Sequence, residues 1–188
     1  MTEPILRGKH LYLRPIRIDD AVALAAANHL EEETGFQEDG RVPMSILSFA
    51  SWIGAIPESD IVFAVCLNGS DTCIGTMSIR NIDRVNGTAE TGSGLTRQED
   101  RGRGLGTEAK RLLLEYAFSE LGLSALSSTV YEGNTRSARA LEKQGYRLAG
   151  RLTANALGAG GVFGDTLVFD ITREDWARST SPTRCQHE

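Results

Sequence analysis

Histidine and cysteine are scarce in this 188-residue chain, three of each. Cys66, Cys73 and Cys185 form no CxxC pair, and His10, His29 and His187 complete no zinc set, so no metal cofactor is expected. Positive charge is also short, with 20 Lys and Arg against 25 Asp and Glu and a net charge of −5. That balance argues against a whole-surface footprint for DNA or RNA, and no nucleic-acid partner is expected. Long apolar runs are missing too. The longest uncharged stretch, residues 42–57, falls short of the roughly 18 residues of a membrane helix, so no membrane partner is expected. Met1-Thr2-Glu3-Pro4 offers no basic n-region or apolar h-region, which leaves a cytoplasmic location as the expectation. In that reducing compartment Cys66 and Cys73, which flank a hairpin symmetrically, are expected as thiols.

The remainder is ordinary globular composition, 40% apolar and 24% charged, enough to bury one core. A single domain over residues 1–176 is expected, followed by a flexible polar tail, 177–188. Residues 11–18 (LYLRPIRI) alternate apolar and polar, the period of a half-buried strand, with Pro15 favouring an edge. Asp19 and Asp20 suit a helix start. A second apolar helix is expected over 45–56, stopped by Pro57. Strands 61–67 and 73–80 close around Asn68-Gly69, and Asn86-Gly87 leads into a third strand, 88–95, making a meander.

The period then changes. Ala109, Leu112, Leu113, Tyr116 and Ala117 line one face of a helix over 107–121, and Gly122 is its C-terminal stop. A strand follows at 124–131, then a short helix capped by Asn134 and ended by Gly145. Two last strands, 146–152 and 165–172, are joined by the Gly-rich stretch 158–164. This order predicts an α+β fold in which strands 88–95 and 124–131 are parallel neighbours, joined by the long helix.

The segment Arg101-Gly102-Arg103-Gly104-Leu105-Gly106-Thr107 sits between a strand end and that helix. Glycines let the backbone adopt φ > 0 and let a phosphate approach without meeting a Cβ, and the free N–H groups of a helix start favour an anion. Arg101 and Arg103 add permanent charge. A P-loop would close with Gly-Lys-Ser/Thr, and the lysine is absent. Gly104-Leu105-Gly106-Thr107-Glu108-Ala109 formally satisfies the dinucleotide fingerprint G-x-G-x-x-A, with Glu132 available as a ribose-binding acid. A Rossmann-type oxidoreductase is therefore the rival reading. It fits poorly with a meander before the turn and only one further βα unit after it.

The run 101–109 with Leu112-Leu113-Leu114-Glu115-Tyr116-Ala117-Phe118 resembles the GNAT superfamily of acyl-coenzyme A-dependent N-acetyltransferases. Asn134-Thr135-Arg136-Ser137-Ala138 and Glu142-Lys143-Gln144-Gly145-Tyr146 resemble its RimJ/RimL-like branch, named after ribosomal-protein alanine acetyltransferases. Leu11, Arg14, Pro15 and the Glu174-Asp175-Trp176 ending look like further parts of that pattern, which spans residues 6–176. The resemblance implies a GNAT fold, a mixed and mostly antiparallel seven-stranded sheet with splayed central parallel strands, flanked by helices. It implies acetyl-coenzyme A as donor and an amine acceptor, a peptide N-terminus or a small amine, and it is compatible with a homodimer. Backbone N–H groups from Arg103 to Thr107 would hold the diphosphate, with Arg101 and Gly102 beside them, and Asn134 would tie its loop to the cofactor. The pantetheine arm would lie between strands 88–95 and 124–131, opened by a bulge that Gly92-Ser93-Gly94 permits.

Acyl transfer needs a neutral amine, an oxyanion site and relief of charge on the departing thiolate. A backbone N–H near Leu95 is the candidate oxyanion donor, and Glu90 is the candidate base through a water, or else a partner to an arginine. Ser137 is the candidate donor to the thiolate. Many family members carry a tyrosine acid at a position that here is Leu141. A coenzyme A-binding module without chemistry is the third reading. Glu31, Glu32, Glu33, Glu38 and Asp39 could attract a cationic acceptor or could form a solvated face. Phe49 and Trp52, at helical spacing, are expected in the core.

Overall fold

Two glycine turns organise the first half of the chain. Gly69 at φ 84° and Gly87 at φ 67° occupy the left-handed region that side chains strain to enter, and each folds one strand back on the last. The computed structural model describes residues 5–28, 45–95, 98–157 and 163–180. The acidic stretch 31–39, the joint 158–162, residues 181–188, and with them His29, Cys185 and His187, lie outside the described residues.

The strands are β1 (Leu6–Arg7), β2 (Leu11–Pro15), β3 (Ile61–Leu67), β4 (Cys73–Asp83), β5 (Thr88–Leu95), β6 (Ala125–Tyr131), β7 (Arg147–Leu157) and β8 (Phe163–Thr172). They form one sheet in the order β1-β2-β3-β4-β5-β6-β8-β7. Every pair is antiparallel except β5 with β6. The helices are α1 (Asp20–Asn28), α2 (Ile46–Gly54), α3 (Leu105–Glu115), α4 (Thr135–Glu142) and α5 (Arg173–Thr180). This is the expected α+β fold with the expected parallel neighbours. The sheet has eight strands rather than seven, because two residues at Leu6–Arg7 pair with Leu13 and Tyr12. A two-residue strand has no period to read. The first long strand stops at Pro15 rather than residue 18: Ile16 still donates to the Val62 carbonyl, but the Arg17 and Ile18 carbonyls are taken by the turn into α1. A mainly antiparallel sheet with a single parallel pair overturns the Rossmann-type reading, and Glu132 pairs with Arg151 at 2.7 Å.

The sheet buries its two faces differently. Phe63, Val65, Met77, Ile79, Leu126 and Phe169 face α3, whose Leu105, Ala109, Leu112 and Leu113 complete the larger core. Ala64, Cys66 and Cys73 face α1 and α2 through Ala21, Leu24 and Ile53. Cys66 and Cys73 pair across the hairpin as free, buried thiols. Ser45 caps α2 by accepting from the Ser48 N–H at 3.1 Å. Phe49 packs on the smaller core and Trp52 is 40% exposed, with their rings edge to face at 6.5 Å. Beyond Glu115 the long helix widens into a π-turn, Tyr116–Glu120, which sets Tyr116 against Phe63 and Phe118 against Trp176. Helix α5 carries Ala177 to Thr180, residues the sequence reading assigns to the tail. No described helix is long and apolar enough to cross a membrane.

Arg14 is 1% exposed. Its guanidinium meets both Asp20 oxygens at 2.7 and 2.8 Å and Asp71 at 3.0 Å, which joins β2 to the start of α1 and the β3–β4 turn. Hydrogen bonds from Tyr12, Arg14 and Arg17 hold the Asp71 carboxyl down to about 2. We expect Asp20→Ala to cost about 3–5 kcal/mol in urea unfolding, because it strands a buried cation. Arg14→Met on that background should recover part of the loss. Since the folded Asp71 value lies below the ordinary 3.8, its contribution is present above pH ~4 and fades as pH falls towards 2. Acid unfolding of Asp71→Asn should lose that component of the pH slope.

Candidate active site

Strands β5 and β6 pair at only three positions, Thr88 with Ala125, Ala89 with Leu126 and Glu90 with Ser127. Beyond Glu90 they part. β6 stays paired along its length with β8, from Ala125↔Thr172 to Tyr131↔Thr166, while β5 stays with β4 from Glu90 to Leu95. The expected bulge at Gly92-Ser93-Gly94 is absent, since register with β4 is continuous there. Gly92 serves close packing instead: a Cβ on it would stand 2.6 Å from Ser78 Oγ. The splay therefore comes from two strands following different partners. The Ala89 and Thr91 carbonyls accept from Ser127 and Ser128 on β6. By the two-residue alternation of a strand, Ser93 and Leu95 turn their backbone groups into the gap.

The glycine turn opens beside that gap. Gly102 and Gly104 sit at φ 74° and 80°, and a Cβ on either would meet nothing within 4 Å. Gly104 is the N-cap of α3. The amides of Gly104, Leu105, Gly106 and Thr107 donate to no described protein atom, and helical bonding starts with Glu108 on the Gly104 carbonyl. Four unsatisfied N–H groups at a helix start, over an open cradle, fit a diphosphate. Arg101 reaches back to the Leu95 carbonyl at 3.1 Å and so fastens the turn to the strand end. Arg103 is 61% exposed on its side chain and touches Asp100 at 3.4 Å. Arg136 adds a third positive charge near Arg101. Glu108 is taken up by His10, which donates its backbone N–H at 2.8 Å and meets the other carboxylate oxygen through its ring.

Buried polar groups bridge the vertex of the splay. Thr91 Oγ1 donates to the Ser127 carbonyl at 3.1 Å and meets the Tyr146 hydroxyl at 2.8 Å. Lys110 lies 5.5 Å from the Tyr146 ring centre. Sequence pattern singles out neither Thr91 nor Lys110, and Tyr146 only as the end of the 142–146 block. The signal for Lys110 is available: it stands next to Ala109 and three before Leu113, on the buried stripe of α3.

Cross-strand register sets Arg80, Glu90, Ser127 and Asp170 side by side on the opposite, polar face. There a cavity of about 280 Å³ is lined by Asn81, Thr88, Glu90, Ser127 and Asp170. Glu90 accepts from Arg80 at 3.4 Å, Asn81 at 3.2 Å and Thr129 at 3.4 Å, so the carboxylate is partnered by an arginine while still lining the cavity. Asn134 spends its side chain as the α4 cap, on the Ser137 N–H at 3.1 Å. The half-buried Ser137 hydroxyl has no partner among the described residues. Leu141 is core, 4% exposed. Among the described residues no group of three His, Cys, Asp or Glu could hold a metal ion.

Residues 10–147 match a family model described as an acetyltransferase (GNAT) domain. The SPbeta prophage-derived N-acetyltransferase YokL of Bacillus subtilis is 29% identical over 171 residues, 90% of this chain and 93% of that protein. A GCN5-related N-acetyltransferase from Brucella melitensis superposes with a TM-score of 0.79 at 26% identity, over 93% of this chain and 80% of its own. Mycobacterium smegmatis RimJ, solved with CoA-disulfide, gives 0.78 at 23% identity over 88% and 83%.

Gly104 offers a direct check on the cradle. Gly104→Val places a Cβ over the free amides at positive φ, a strain of roughly 1–2 kcal/mol on folding. We expect coenzyme A binding, read by calorimetry, to fall a hundredfold or more while the variant remains folded in thermal melts. A change in affinity under threefold would assign the glycine to the turn alone.

Proposed function

Given that the chain belongs to the GNAT acetyltransferase family and is an acetyltransferase, we propose that it moves the acetyl group of acetyl-coenzyme A to a primary amine by direct attack in a ternary complex. We assign it to the RimJ/RimL-like branch, working in the cytoplasm, with a peptide N-terminus or a small amine as acceptor. One domain running to residue 176 carries the reaction in this reading. The observation that carries the reading is the row of unsatisfied amides from Gly104 to Thr107 beside a splay whose strand edges are open. The coenzyme supplies an acyl group already activated as a thioester, so placement of two substrates accounts for much of the acceleration.

Each element then has a task. The amides from Arg103 to Thr107 hold the diphosphate, with Gly102 and Gly104 keeping the approach clear and Arg103 adding charge. Arg101 keeps the turn on the end of β5. The arm completes the open edge of β5, and the Leu95 N–H stands where an oxyanion would form. Asn134 aligns α4, so that the Ser137 hydroxyl faces the departing sulfur. Glu90 stands at the last β5–β6 pair, between the splay and the cavity on the polar face, and takes the amine proton through a water. Arg80, Asn81 and Thr129 fix the orientation of its carboxylate.

Two measurements test this. Incubating the protein with acetyl-coenzyme A and panels of N-terminal peptides and small amines should give acetylated product by mass. Binding of NADH with no affinity for coenzyme A would overturn the assignment. Glu90→Gln should lower kcat roughly 100-fold or more with coenzyme A binding unchanged. A kcat within about threefold of wild type would reduce Glu90 to a partner of Arg80.

A further inference from the structure

The cluster at the splay vertex contains one group that the chemistry above leaves unused. Lys110, in the second turn of α3, is 1% exposed, and its Nζ has no hydrogen-bond partner among the described residues. Its neighbour is the Tyr146 ring, 5.5 Å away, whose face attracts a cation without supplying an oxygen acceptor. The Tyr146 hydroxyl is engaged with Thr91 Oγ1, and that oxygen donates to the Ser127 carbonyl. A buried ammonium with no acceptor is costly, and a leucine at this position of the stripe would avoid the cost. The unfilled need is for an acceptor able to carry negative charge, at the point where the two strands part.

We propose that Lys110 is the hydrogen-bond donor and counter-charge for the sulfur of the bound acyl carrier, which becomes negative as the acyl group leaves. This rests on the acetyl-coenzyme A reading above. In the step the acceptor nitrogen forms the C–N bond and the C–S bond breaks, its electron pair passing to sulfur. The nitrogen's proton leaves through the water on Glu90, and Lys110 keeps its own proton while donating a hydrogen bond. Ser137 offers a neutral hydroxyl to the same sulfur, and Leu141 offers nothing, so Lys110 supplies the charge that neither can. Burial, with the Arg80 charge of β4 acting on it, pushes the Lys110 ammonium down to about 7. An anion beside it would raise that value again. The charged group acting on it is Arg80; the Tyr146 phenol beside it is kept neutral by burial, and Glu90 lies on the opposite face bound to Arg80.

The test uses coenzyme A and desulfo-coenzyme A with the full chain and with Lys110→Met. The ultraviolet absorbance of the thiolate reports ionisation of the bound sulfur. In the wild type that thiol should ionise about one pH unit below free coenzyme A, and Lys110→Met should abolish the shift. The variant should bind coenzyme A about tenfold more weakly at roughly pH 8 and bind desulfo-coenzyme A unchanged. Nitrogen NMR of the wild-type lysines gives a readout that needs no variant: coenzyme A should raise the titration of Lys110 and desulfo-coenzyme A should not. Equal thiol ionisation in both proteins, or a Lys110 titration indifferent to the sulfur, overturns the inference and leaves the acetyltransferase reading standing. Failure of the wild type to bind either coenzyme overturns both.

Discussion

The site depends on a sheet that is left unfinished on purpose of topology. β5 is paired with β4 from Glu90 to Leu95 and again at Thr88, and β6 along its whole length with β8, yet the two share only three positions. Backbone groups facing a gap between strands have to be satisfied by something, and neither strand can turn to the other without leaving its outer partner. The arm of a bound carrier is an extended chain of amides of the right kind to complete such an edge. Every other feature of the site is placed by this parting: the helix start at one side, the bridged vertex at its base and the polar face behind it.

Charge is distributed to match. Arg101, Arg103 and Arg136 gather about the glycine turn in a chain that is acidic as a whole. Fixed amides and permanent charges thus make one end of the gap favourable to an anion. Across the sheet, Arg80, Glu90, Asn81 and Thr129 form a hydrogen-bonded group that holds a carboxylate in one orientation beside a cavity. The same strands therefore carry an arginine-rich turn at one end of the gap and an arginine-paired carboxylate on the polar face.

Periodicity made much of this fold legible. The meander followed from Asn68-Gly69 and Asn86-Gly87, whose glycines do take positive φ, because turn residues act through local backbone preferences. The α3 stripe was visible because 3.6-residue spacing is local. The glycine turn into a helix start at 101–107 was legible for the same reason, and its amides from Gly104 onward donate to no described protein atom. Arg101 shows where legibility ends: its charge was evident, its attachment to the Leu95 carbonyl was not. Glycines in β5 looked like a bulge, yet the register is continuous there and Gly92 packs closely against Ser78 of β4, a distinction that depends on what lies across the ladder.

Composition, turn chemistry and the run from Arg101 to Ala109 by themselves determined an α+β chain with one parallel junction and a glycine-rich helix start, because each of those rests on contacts within a few residues. Only the tertiary structure decided that β5 and β6 separate after Glu90, that Glu90 is held by Arg80, and that Lys110 ends up buried beside the Tyr146 ring with no hydrogen-bond partner among the described residues. Those outcomes depend on which distant strands and helices compete for the same backbone edges and the same interior space, and spacing along one chain carries no record of that competition.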